Sequence, residues 1–199
     1  MVKLKRWRRI AIIILTALSF FLVWIFTPAV IIPPNQKAQE TPIYILDLGW
    51  HPELILPNNQ NTFTLYAYGD WNYFALNNQN LSDGLAALFI PTLGTLGKRT
   101  FNNLEEIQKI TTQRNYTLLT VKVPQNKVSA LIQQLERRFN QNIHTTIYNQ
   151  KTGLTLVQDE KKYTILHNSN HELIEWLEEL GCQVKGFVIW ANFRVYTNI

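Results

Sequence analysis

Residues 10–32, "IAIIILTALSFFLVWIFTPAVII", contain no charged side chain. The segment before them, "MVKLKRWRR", carries Lys3, Lys5, Arg6, Arg8 and Arg9 and no acid. No other feature of the sequence constrains the fold as strongly. A helix needs roughly 20 apolar residues to cross a bilayer core of about 30 Å, and this run meets that length. Trp7 and Trp24 are of the type that settles at membrane interfaces. A cleaved signal peptide would have a shorter apolar core, roughly 7–15 residues, and a small-residue cleavage site, and "FTPAVIIPPNQ" offers no A-x-A pattern. The expectation is an uncleaved signal-anchor. Residues 1–9 are then a basic cytoplasmic segment, residues 10–32 a transmembrane helix and residues 33–41 a polar, proline-bearing linker. Residues 42–199 form an extracytoplasmic domain, because basic residues flanking a first span stay in the cytoplasm.

The anchor also accounts for the charge. The chain has a formal net charge of +5, yet 14 basic and 14 acidic residues remain once the leading five are set aside. A neutral domain has no basic surface for a phosphate backbone, so nucleic acid is not an expected partner. Cys182 is the only cysteine, which excludes an intramolecular disulfide. Its setting, "LGCQV", reads as a small buried apolar residue.

Periodicity in the remaining chain predicts strands at "PIYILDL", "ELILP", "YTLLTVKVP", "HTTIYN", "LTLVQ" and "KKYTILH", with a final strand or pair in "KGFVIWANFRVY". "TFTLYAYGDWNYFAL" reads as a hairpin turning at Gly69–Asp70. "LSDGLAALF" reads as a short helix, "IPTLGTLGKRTF" as a glycine-punctuated loop and "NNLEEIQKI" as one or two helical turns. In "NKVSALIQQLERRFNQN", Val128, Leu131, Ile132, Leu135 and Phe139 make one apolar helical face, with Arg137 and Arg138 near the C-terminus, where the helix dipole favours cations. Antiparallel-looking strands with segregated helices indicate α+β: an antiparallel sheet with packed helices.

Few residues are suited to chemistry. His167 and His171 have the i, i+4 spacing of a helical metal pair. A strand-to-helix junction falls inside "HNSNH", however, and no acidic third ligand is suitably spaced, so no metal and no cofactor are expected. "SNHE" is a capping box, predicting Ser169 as N-cap and Glu172 reaching back to it. Leu173, Trp176, Leu177 and Leu180 follow as a core-facing stripe, and Gly181 is a helix stop. His51 stands in a turn between two apolar strands, where an imidazole projects from a rigid frame as a general base must. Asp70 sits where an aspartate suits a tight turn beside glycine.

Three places together resemble a known family. They are "GWHPELILP", "YAYGDWNYFAL" with "LAALFIPTLGTLG" after it, and "LHNSNHELIEWLEELG". The family is an uncharacterised, membrane-anchored bacterial one described from genes near urease operons, a domain of unknown function. Its members read Gly-Trp-His-Thr-Gly after the first strand, then Gly-Trp-Gly-Asp, and near the end Asn-Thr-Cys-Asn-x-Trp opening a helix. It is similar to a circular permutation of the papain-like NlpC/P60 hydrolases, with histidine preceding cysteine. The resemblance implies His51 at the base position, Asp70 as its orienter and Ser169 where the family has its cysteine. Pro52 and Glu53 replace the Thr and Gly beside the histidine.

The serine bears on mechanism. A cysteine at a helix N-terminus beside a histidine ionises near neutral pH, whereas a serine attacks only while a histidine removes its proton beside an oxyanion hole. The expected function is therefore an envelope domain, non-catalytic or catalytically altered, whose cleft binds a cell-envelope peptide, lipid or glycan. A hydrolase or acyltransferase using Ser169, His51 and Asp70 is the second reading, and a membrane-tethered scaffold the third.

Overall fold

The computed structural model describes residues 2–35, 39–58, 61–78, 90–188 and 190–197, with the side chains of all but residues 2–6, 24 and 25. Helix α1 (Val2–Phe26) opens the chain, and Ser19 and Thr27 hydroxyls donate to the Leu15 and Val23 carbonyls one turn back. Its apolar side chains are largely exposed, Phe20 by 73% and Ile13 by 66%, so the protein itself does not cover them. Among the described residues no helix is long and apolar enough to cross a membrane. The helix ends earlier than the uncharged run does. Strand β1 (Ala29–Ile32) takes residues expected at the end of a transmembrane segment and packs them into the folded core, with Ile31 fully buried.

The strands that follow are β2 (Glu40–Asp47), β3 (Pro52–Pro57) and β4 (Phe63–Asp70), then a π-helical turn (Trp71–Ala75) and β5 (Thr92–Phe101). Helix α2 (Leu104–Arg114), β6 (Thr117–Pro124), helix α3 (Gln125–Gln141), β7 (Ile147–Asn149) and β8 (Leu154–Tyr163) come next. Helix α4 (Ser169–Glu179), β9 (Gln183–Lys185) and β10 (Phe193–Val195) complete the order. The large sheet runs β6-β2-β3-β4-β5-β8-β7 and is antiparallel at every pairing. A small sheet, β10-β1-β9, joins β1 parallel to β10 and antiparallel to β9. The class is α+β with a large antiparallel sheet and several helices.

Both faces of the central strands are covered, which is why "YILD" and "LILP" are continuous apolar runs rather than alternations. Ile43, Ile45, Leu54, Leu56, Tyr66 and Tyr68 face helices α3 and α4 and the small sheet. The intervening Tyr44, Leu46, Ile55, Leu65 and Ala67 face helix α2. The period-2 geometry of a strand divides them between the two layers. Helix α3 buries Val128, Leu131, Leu135 and Phe139, the stripe its sequence predicts.

Three expectations change. The segment around Gly69–Asp70 is not a hairpin: β4 continues straight to Asp70, and the π-helical turn follows it. The glycine-punctuated "TLGTLGKRTF" is strand β5, not loop. Gly94 is there because the sheet leaves no room for a side chain: a Cβ would overlap the Lys161 carbonyl and lie 2.6 Å from the Tyr68 hydroxyl. "LTLVQ" and "KKYTILH" are not two strands, since β8 runs through the first and on to Tyr163 in the second, and irregular pairing at Leu93/Gly94 absorbs the mismatch. The helix expected at residues 81–89 lies outside the described residues.

Candidate functional site

Helix α4 is placed by its cap. The N-cap is Asn168, with extended backbone (φ −118°, ψ −172°), and its side-chain oxygen accepts from Asn170 N–H at 2.9 Å and His171 N–H at 3.3 Å. Ser169 is therefore the first helical residue rather than the cap, and the expected capping box does not form. Asparagine satisfies the orphan amides as well as serine does, which leaves the serine hydroxyl and the Glu172 carboxylate for other partners.

Ser169 is buried, and its side chain and backbone both hydrogen-bond to the Tyr163 phenol at the end of β8. Burial and the charge of Asp70 push that phenol up to about 12, against the effect of the Ser169 hydrogen bonds. Tyr163 is thus a neutral hydroxyl at physiological pH and takes no proton from Ser169. Asp70, also buried, closes β4 and caps the π-helical turn. It accepts from Tyr73 N–H at 2.6 Å and from the Thr92 hydroxyl. Asp70 acts on Tyr163 through its charge alone, and both its carboxylate oxygens serve the chain's own structure.

His51 has its own surroundings. It sits in the bend between β2 and β3, where its carbonyl accepts from Leu48 N–H at 3.1 Å. Its ring lies on that of Phe74, centroids 4.7 Å apart, and Phe74 packs with the cluster on the α2 face. Ser169 opens a helix on the opposite face. The His51 Nε2 is buried with no hydrogen-bond partner, and burial pushes the imidazole down to about 4. Among the described residues no hydrogen bond links His51 to Ser169 or to Asp70. Of the three residues that the family resemblance groups, Ser169 reaches Tyr163 by hydrogen bonds, Asp70 acts on Tyr163 through its charge, and His51 stacks on Phe74.

Beneath Ser169 lies a cluster that sequence reading missed. Arg138 grips Asp159 with two hydrogen bonds, at 2.5 and 2.9 Å, and also pairs with Glu172. Lys161 bridges Glu172 at 3.1 Å and Glu175 at 2.5 Å. His167 Nε2 lies 2.9 Å from Glu172. Asp159 and Glu172 are almost wholly removed from solvent, and Arg138 is far from the exposed dipole partner its position near a helix C-terminus implies. Nothing local could have announced the cluster, because its members come from α3, β8 and α4.

His167 and His171 do not form a metal pair: His171 Nδ1 is 2.9 Å from the Asn168 side-chain oxygen, while His167 faces Glu172. His167, Glu172 and Glu175 do bring ligand atoms within 4.8 Å of one another. The carboxylates among them already hold the Arg138 and Lys161 cations, so a metal ion would have to displace an ammonium. The site can offer hydroxyl and phenol hydrogen bonds at a helix N-terminus, and among the described residues no histidine or carboxylate is hydrogen-bonded to the serine. No family model, no curated protein and no solved structure matches this chain.

Proposed function

We propose that this chain is a membrane-anchored envelope protein whose Ser169 region is a non-catalytic binding site for a cell-envelope peptide, lipid or glycan. In this reading the arrangement is permuted papain-like, with Ser169 in the place of the cysteine, at the head of a helix laid on an antiparallel sheet. One observation carries it. The Ser169 hydroxyl is committed to a neutral phenol, while the Nε2 of His51 is buried without a partner. A serine without a general base is a weak nucleophile.

The anchor rests on α1, whose apolar side chains find no protein cover. An aromatic chain at its exit supports the same reading. Phe26 stacks on Trp190 at 5.4 Å, and Trp190 meets the exposed Trp50 edge-on at 5.6 Å. Aromatic rings of this kind gather at the bilayer–water boundary. The five basic residues ahead of the helix keep the N-terminus cytoplasmic and the domain outside.

The test is covalent labelling of the full-length chain. Wild type is expected to resist a serine-directed probe. Labelling of wild type that disappears in Ser169→Ala would replace this reading with a hydrolase. In cells with a permeabilised outer envelope, added protease should digest the C-terminal domain. Full protection would overturn the topology.

A further inference from the structure

On the face of the sheet away from Ser169, helix α2 does not close completely over β3, β4 and β5. A cavity of about 260 Å³ remains, walled by Leu46, Leu65, Phe101, Ile110 and Leu154. A dry cavity of about 150 Å³ accepts benzene, so this one has room for roughly ten non-hydrogen atoms. Its polar lining is Glu53, Arg99, Arg114, Gln113, Tyr116 and Thr152, of which the first three are charged, with opposite signs. Glu53 lines it and is only 7% exposed. Among the described residues, no hydrogen bond or ion pair within 4 Å reaches the Glu53 carboxylate. Arg99 and Arg114 line the same cavity and act on Glu53 through their charge without touching it.

A buried carboxylate facing two guanidinium groups across an apolar space is a costly arrangement for a chain to keep empty. An unpaired buried ion loses several kcal/mol of hydration, and an alanine or leucine at position 53 would avoid that cost. The strands fix the geometry. Glu53 pairs with Leu46 across β2 and β3, and Arg99 pairs with Leu65 across β4 and β5, so the two charges enter from opposite sides of one apolar floor. Arg114 ends α2 at the exposed mouth.

We propose that this cavity binds a small zwitterion with an apolar side chain, of the size of a single free amino acid, its ammonium group on Glu53 and its carboxylate on Arg99 and Arg114. The apolar walls take the side chain. A simple fatty acid is a worse fit, since its carboxylate can meet the arginines but it brings no cation to Glu53. The site lies on the other face of the sheet from Ser169, and its existence does not depend on what that residue does.

Burial pushes the Glu53 carboxyl up to about 7, against the Arg99 and Arg114 charges. The other titratable group lining the cavity is the Tyr116 phenol. An ammonium ligand draws Glu53 into its ionised form, so binding strengthens as pH rises through 7. Affinity should be about tenfold weaker at pH 6 than at pH 8.

The experiment is isothermal titration of the full-length chain in lipid nanodiscs with L-leucine, N-acetyl-L-leucine and hexanoate at pH 6, 7 and 8. Leucine is expected to bind with the stated pH dependence, and the two probes lacking an ammonium at least tenfold more weakly. Glu53→Gln, which keeps the side chain's shape, should lose the pH dependence and at least tenfold in leucine affinity. Arg114→Ala, at the exposed end of α2, should lose affinity while keeping the pH dependence. Absence of leucine binding, equal binding of N-acetyl-L-leucine or hexanoate, or unchanged binding by Glu53→Gln would each overturn the proposal.

Discussion

Replacing Arg138 with methionine preserves much of the apolar stem and removes the charge that two carboxylates depend on. Those carboxylates differ in what remains. Glu172 keeps Lys161 at 3.1 Å and His167 at 2.9 Å. Asp159 keeps only the Lys161 backbone N–H, at 2.9 Å, while its side chain is 2% exposed. Breaking a buried ion pair from one side costs about 3–5 kcal/mol, and here most of that cost falls on Asp159. Urea unfolding at pH 7 is the appropriate assay, because urea carries no charge to screen the pair, and Trp176, buried in α4, reports by fluorescence. With a slope of about 2 kcal/mol per molar urea, the midpoint should fall by about 1.5–2.5 M. Arg138→Met/Asp159→Asn should recover about half of the loss, since an amide tolerates burial better than an unpaired carboxylate. A midpoint within 0.5 M of wild type (about 1 kcal/mol on that slope), or a double variant no more stable than the single one, would refute the view that an uncompensated buried charge is the cost.

Further expectations concern the same region and the histidine beside it. Burial raises the Glu172 carboxyl, but His167, Arg138 and Lys161 outweigh burial and hold it at about 2. Its stabilisation is then fully present above about 4.5, the ordinary value, and is lost as pH falls toward 2. The loss is about 3 kcal/mol, it should appear in acid unfolding of wild type, and it should be absent in Glu172→Gln. His51, held near 4 by burial, should stay neutral in a ring NMR titration down to pH 5. Its contribution is present above 6.5 and lost as pH drops through that value toward 4. Asn168→Ala should cost about 1 kcal/mol in urea unfolding and Asn168→Asp only a few tenths, whereas a capping role for Ser169 would make Asn168→Ala silent. Gly94→Ala should cost more than about 2 kcal/mol, since the Lys161 carbonyl it meets is backbone and cannot swing away.

The sequence by itself determined the elements whose burial is local and periodic. The apolar stripe of α3, the stripe of α4 and the strands at "YILD", "LILP" and "LLTVKV" follow from side-chain spacing alone, because a helix or strand presents the same face wherever it packs. Composition fixed the basic lead and the uncharged run after it, and located a neutral remainder. Local pattern misled where a residue type serves a distant partner. Gly94 looked like a turn because glycine breaks strands, yet it is needed for the close approach of β8, which lies far away in sequence. Ser169 satisfied a capping box on paper, and Asn168 took the cap because one residue of offset costs nothing in sequence pattern and is decided by how β8 delivers the chain to α4.

Tertiary structure alone decided the chemistry. Charge is long-ranged and indifferent to sequence order, so Arg138 could not be assigned to Asp159 and Glu172 until α3, β8 and α4 were stacked. The same holds for Glu53, which reads in sequence as a departure beside a histidine. Only the strand pairing that sets it across an apolar space from Arg99 and Arg114 turns it into a buried carboxylate with a cavity in front of it. His51 and Ser169 are grouped only by the family resemblance. It took the tertiary structure to show that His51 stacks on Phe74, which packs with the α2-face cluster, while the helix that Ser169 opens buries its stripe on the other face. Which face a side chain meets is set by how distant elements stack.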